Sequence, residues 1–167
     1  TQPRVFRAEQ PASVLARITN TQGQALDDLS RALDGFGAPA TLSIVELSSP
    51  KGLLQLVTTE IGRAKQSVHL LAPAEAFPIV APALRRAVSA GLDVVLRAQT
   101  EVELPFAPVE PVPPVHPWPG SPLVGVFDDR SAVIASRDGS DVRGHWSSAP
   151  PFVAAARMTF AHFATSP

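Results

Sequence analysis

Ser67-Val68-His69-Leu70-Leu71-Ala72 at residues 67–72 and Leu92-Asp93-Val94-Val95-Leu96-Arg97 at residues 92–97 decide how this chain is read. Both are strand-length apolar runs, and the segment between them, from about Ala76 to Ala90, has helical character. Pro78 and Pro82 break its regularity, and Gly91 suits its end. Two strands joined through a helix form a parallel pair, because a parallel connection must travel back along the sheet.

The same alternation extends upstream. Thr41 to Leu47 reads as a strand, and Ser49-Pro50 is a helix entry followed by Leu53, Leu54, Leu56, Val57, Ile61 and Ala64 at helical spacing. The expectation is therefore an α/β fold built on a parallel βαβαβ unit with right-handed crossovers. Before it, Arg4-Val5-Phe6-Arg7 reads as a short strand. Pro11 to about Leu33 then forms a long N-terminal helix with a stripe through Leu15, Ile18, Ala25, Leu29 and Ala32. Such a stripe packs either on its own domain or against a second copy, which makes Leu15, Ile18 and Leu29 the candidate dimerisation residues. Gly35 and Gly37 close the helix, dividing the chain into residues 1–37 and a main domain at 38–167.

Downstream, Pro105 to Pro122 holds Pro111, Pro113, Pro114, Pro117 and Pro119, which excludes a central strand or regular helix and leaves a lid or a connector. Leu123–Phe127 and Ser131–Ser136 then form a hairpin around Asp128-Asp129-Arg130, with both acids read as solvated turn residues rather than as a metal-binding or acid/base pair. Asp138-Gly139 turns the chain into a strand at Val142–Trp146. Pro150-Pro151 opens a last helix through Phe152, Val153, Ala156, Phe160 and Phe163.

The 167 residues are 45% apolar and 17% charged, enough to build a core without strong self-repulsion. A net charge of −1 supplies no general attraction for a phosphate backbone, so DNA is not expected to contact this segment directly. The sequence has no cysteine, which removes disulfides, thiolate metal sites and cysteine nucleophiles and suits the cytoplasm. No apolar run approaches the roughly 20 residues that span a bilayer, and no signal-peptide pattern opens the chain. The start on a strand without Met reads as a piece of a longer protein.

Four stretches resemble the phospholipase-D-like effector domain of the TrmB family of transcriptional regulators: 4–11, 61–70, 83–94, and 126–136 followed by His145-Trp146-Ser147. The resemblance implies a phospholipase-D-like mixed sheet flanked by helices. It also implies a homodimeric bacterial regulator that reaches DNA only through a winged helix absent from this chain. The partner implied is a small-molecule effector; several family members respond to sugars.

The phospholipase D superfamily performs phosphoryl transfer with a His, a Lys two residues later and an Asp five beyond that. With Asp128 as the Asp, those positions hold Ser121 and Leu123; with Asp129, they hold Pro122 and Val124. The family's nucleophile and cation are missing in both registers, from which a catalytically inactive domain is expected. His69, His116, His145 and His162 show no metal-ligand spacing, and no phosphate-binding glycine motif or Gly-x-Ser-x-Gly occurs. No metal, cofactor or catalytic residue is thus assigned.

Open α/β sheets bind ligands beyond the carboxyl ends of their parallel strands. That places Glu75, Arg97 and Gln99 at a candidate effector site, with Arg97 as anchor for a carboxylate, phosphate or vicinal hydroxyls, or else paired with Glu75 or Glu101. Trp118 would close over it if the proline-rich loop folds back. His145 and Trp146 would reach it only if their strand neighbours the third one. Two alternatives stand beside the sensor: an enzyme of phospholipase-D-like ancestry with an unrecognised site, and a pure protein-interaction or dimerisation module.

Overall fold

The computed structural model describes Thr21, Gln24, Asp28, residues 44–114 and residues 118–165. The chain divides into two compact units, Thr1–Thr41 and Leu42–Pro167. In the first, Thr21, Gln24 and Asp28 are helical. The strand expected at Arg4–Arg7 and the candidate contacts Leu15, Ile18 and Leu29 lie outside the described residues.

Among the described residues, the second unit carries seven strands in one sheet: β1 (Ile44–Leu47), β2 (Ser67–Leu71), β3 (Asp93–Ala98), β4 (Val109–Pro111), β5 (Ser121–Phe127), β6 (Ser131–Asp138) and β7 (Asp141–Ser147). Its helices are α1 (Pro50–Arg63), α2 (Phe77–Ser89) and α3 (Pro150–Thr165). The sheet order is β1-β7-β6-β5-β2-β3-β4. This is a mixed sheet flanked by helices, as the α/β reading requires.

Local chemistry sets the helix ends. The Ser49 hydroxyl accepts the Gly52 N–H at 3.3 Å and Pro50 follows at the first helical position. At the end of α2, Gly91 takes φ +79°, while its N–H reaches the Val88 carbonyl and that of Leu92 reaches Ala87. That double closure is a Schellman cap, satisfying carbonyls the helix leaves open.

Alternation along the strands feeds two cores. Val68, Leu70, Leu96, Leu123 and Val133 pack with Leu53, Val57 and Ile61 of α1 and Val80 and Leu84 of α2. Leu71, Val124, Val126 and Ala132 pack instead with Val153, Ala156, Phe160 and Phe163 of α3. A sheet covered on both faces explains why β5 is apolar along nearly its whole length. Cutting fully buried Leu84 back to Ala would cost about 2–5 kcal/mol.

The parallel βαβαβ expectation needs correction in its first half. β2 and β3 are parallel, as read, but β1 is antiparallel to β7 at the far edge, with Ile44 opposite Ser147 and Leu47 opposite Gly144. Ile44 and Val45 are 61% and 43% exposed, whereas an inner parallel strand would be covered on both faces. The neighbour of β2 on that side is β5, also antiparallel. Of the proline-rich stretch, Val109–Pro111 form β4, which pairs with β3 as a parallel edge strand, and the expected exclusion of a central strand is corrected at its end, where Ser121 and Pro122 open β5 between β6 and β2.

Asp128, read as a solvated turn residue, has a second role. Both Asp128 and Asp129 take φ 53°, the primed-turn geometry that suits the twist of a hairpin. This aims the Asp128 carboxylate at the junction of α1 and β2, where it accepts the N–H groups of Lys65, Gln66 and Ser67 at 2.8 to 3.1 Å. Burial pushes its carboxyl pKa up, but these three donors and the Arg130 charge outweigh that and hold it below the ordinary Asp value.

Candidate functional site

β2 and β3 run parallel and end together, and the Ala72 N–H donates to the Arg97 carbonyl at 3.1 Å to close the last rung. Beyond it the chain turns outward through Pro73 into a single 3-10 turn, Ala74–Ala76, and from β3 into Gln99 and Thr100. Because β5 is antiparallel to β2, its first residues, Ser121 and Pro122, arrive at the same end. Pro73, Glu75, Gln99, Thr100 and Ser121 line a recess of about 90 Å³ there.

A second cavity of about 200 Å³ shares Pro73 and Glu75 with this recess and opens beneath α1 and α2. Its walls are largely apolar, with Leu53, Leu54, Ala76, Ile79, Leu123 and Val142. Its charged residues are Glu75 and Arg137, joined by an ion pair of 2.6 Å between Arg137 Nη1 and Glu75 Oε1. Arg137 Nε also donates to the Gly139 carbonyl at 2.9 Å. The hairpin register brings Arg137 to this end by pairing it with Ser121. That pairing is close: Gly120 has φ +69°, and a Cβ there would lie 2.3 Å from the Arg137 carbonyl oxygen.

Ser121 and Leu123, which occupy the phospholipase D His and Lys positions when Asp128 is the Asp, line the recess and the cavity respectively. The cleft thus coincides with the place where that motif's catalytic pair would stand. Here it offers a hydroxyl, a carboxylate, a guanidinium and an apolar interior, an arrangement that can bury an apolar body and hold a polar head at the mouth. Among the described residues no three His, Asp or Glu side chains are grouped to hold a metal ion.

The candidate residues separate into different places. Glu75 and Gln99 meet in the recess wall. Arg97 does not join them: it points to the opposite face, where Nε donates to Glu110 at 3.0 Å and Nη1 to the Phe160 carbonyl at 2.9 Å. Its pairing with Glu75 or Glu101 is corrected accordingly, since Glu75 is taken by Arg137. Trp118 packs edge-on against Phe163 under α3, and Trp146 is partly buried against the α1/α2 core. The adjacency required of His145 and Trp146 is not met, because β6, β5 and β2 stand between β7 and β3, and neither residue lines the cleft. The sequence names Ser121 only as the occupant of the missing His position and does not point to Arg137; the expected hairpin, Leu123–Phe127 and Ser131–Ser136, stops just short of both, and its extension to the Ser121–Arg137 pair unites them.

No protein-family model and no curated protein matches the sequence. Solved structures do. NucT from Helicobacter pylori matches with a TM-score of 0.58 and 12% identity, over 75% of this chain and 97% of that one. Nuc, a phospholipase D family member from Salmonella typhimurium, matches at 0.54 and 16% identity, over 72% and 93%. TrmBL2, an archaeal chromatin protein, matches at 0.53 and 10% identity, over 91% of this chain and 64% of its own. The chain therefore has a phospholipase-D-like fold, shared with a TrmB-like protein. The expectation of a non-enzyme is corrected by the same finding: the fold is that of an enzyme family. Loss of the His and Lys positions removes one mechanism and not catalysis as such. Among the described residues, no helix is long and apolar enough to cross a membrane.

Proposed function

We propose that this chain carries a domain of phospholipase-D-like enzyme ancestry whose working surface is the cleft beyond β2 and β3, with a site different from the family's motif. The observation that carries this reading is the coincidence of the cleft with Ser121 and Leu123, rimmed by the Glu75–Arg137 pair. A cavity of about 200 Å³ selects a compact apolar group, and the ion pair and Ser121 hydroxyl select a polar or charged head. The test is a stability screen of carboxylates, sugars and phosphodiesters, followed by turnover assays on each binder. A ligand of the folded state raises the melting temperature by mass action. Ile79 is 54% exposed at the cavity wall, so Ile79→Trp obstructs the cleft without emptying the core. Shifts and turnover that survive Ile79→Trp would exclude the cleft.

A second reading, the effector-sensing half of a TrmB-like regulator, is favoured by the extent of one match. TrmBL2 aligns over 91% of this chain, against 75% and 72% for NucT and Nuc. In this reading the full protein is a cytoplasmic homodimer, Leu15, Ile18 and Leu29 contribute to the contact, and a winged helix precedes Thr1. Light scattering on the full-length protein decides it: a monomer at high concentration, or no winged helix encoded upstream, removes the reading.

A further inference from the structure

On the sheet face opposite the cleft, α3 leaves a groove of about 650 Å³ over β2 and β3. His69 and Arg97 line it from the strands and Arg157 from the helix, and none of the lining residues is acidic. The rest of the wall is apolar or small: Val95, Ala154, Met158 and Ala161, with Met158 75% exposed.

The two strand residues are held in place. His69 stacks on the Phe160 ring at 5.5 Å and 16°, and the Arg97 guanidinium lies 4.2 Å from the same ring's centroid. Arg97 Nε and Nη1 are committed to Glu110 and the Phe160 carbonyl, while Nη2 takes no acceptor among the described residues. A guanidinium fixed by stacking and two acceptors loses little freedom when an anion arrives.

Each of the three basic side chains has an acidic neighbour, but those neighbours do not line the groove. Asp93 beside His69, Glu110 beside Arg97 and Asp129 beside Arg157 have side chains 71%, 59% and 51% exposed. The exposed pair of Arg157 with Asp129 is worth about 0–1 kcal/mol, so an entering anion displaces it at small cost, whereas Arg97, its side chain 12% exposed, keeps Glu110 and has Nη2 left to offer.

We propose that this groove binds a small organic anion, a carboxylate or phosphate on a short apolar body. Arg97, Arg157 and His69 hold the head, and Ala154, Met158 and Ala161 receive the body. The site is independent of the cleft, from which the sheet separates it.

The experiment is an amide chemical-shift titration of the whole chain with inorganic phosphate, hexanoate and hexyl phosphate in parallel. Saturable shifts centred on Val95, Ala154, Met158 and Ala161 are expected with at least one probe, and the three arms show which head is preferred and what the body adds. Arg97→Gln removes a charge-assisted contact and weakens binding about tenfold or more. Ala154→Glu, at an exposed helix position, places a repelling carboxylate in the groove and weakens binding without disturbing the core. No saturable shift with any probe, shifts centred on Glu75, Gln99 and Ser121, or unchanged affinity in Ala154→Glu would overturn the proposal.

Discussion

Ser67 and Asp128 hold each other reciprocally: the Ser67 N–H donates to the Asp128 carboxylate at 2.9 Å, and the Asp128 N–H donates to the Ser67 carbonyl at 3.0 Å. The pair ties the start of β2 to the end of β5, residues far apart in sequence. With Lys65 and Gln66 also donating, one carboxylate takes three successive N–H groups at the α1–β2 junction.

Asp128→Asn should therefore destabilise the domain by about 1–2 kcal/mol, since it removes the charge from several hydrogen bonds at a partly exposed site. The folded pKa lies below the ordinary Asp value of 3.8, so this stabilisation is complete above that pH and lost as pH falls through the lowered value. Urea unfolding of the wild type should show a fall in stability in that acid range, and the Asn variant a shallower one. Parallel pH profiles would contradict this.

Gly120→Ala combines a left-handed backbone with a Cβ 2.3 Å from the Arg137 carbonyl oxygen. Gly91→Ala meets the same kind of backbone, φ +79°, in open space. The second should cost about 1–2 kcal/mol from the backbone alone, and the first clearly more. Equal losses in chemical denaturation would show that the β5/β6 contact yields easily.

Glu60 is 7% exposed and accepts the Ser131 hydroxyl, with Arg63 Nη1 3.9 Å from its other oxygen. Ser131→Ala leaves this carboxylate short of a donor and should cost about 1.5–3 kcal/mol. Glu60→Leu combined with Ser131→Ala should cost less than the two single losses added together. Strict additivity in the double-mutant cycle would rule out the coupling.

Glu75→Gln and Arg137→Gln should each change stability by less than about 1 kcal/mol, because the pair is half-exposed, with side chains 59% and 41% accessible. Their effect should appear instead in the affinity or turnover of a cleft ligand. A large drop in melting temperature without a binding effect would assign the pair to architecture.

Local pattern carried most of the element boundaries, because apolar spacing, Ser49-Pro50 and Gly91 act within a few residues of where they sit. Sheet order did not follow from it. Nothing in Ile44–Leu47 announces that its partner is β7, since the ladder is chosen by a strand much later in the chain. Arg97 shows a subtler failure. Leu96 and Ala98 are buried on the α1/α2 side, and period-two alternation sends Arg97 to the other face. The alternation is present in the sequence, and strand face, not strand-end position, decides where this side chain goes. Gln99, beyond the last rung, escapes the alternation and reaches the cleft. Arg137 was legible only through the hairpin register with Ser121.

Pro111 closes the sheet at its parallel edge. The Val112 N–H points inward to the Ala98 carbonyl at 2.8 Å, so alternation turns the preceding position outward, where proline brings no donor. With Glu110 exposed beside it, that margin is a poor template for an incoming strand from another molecule. A proline at this edge thereby protects the border of the sheet from runaway self-association.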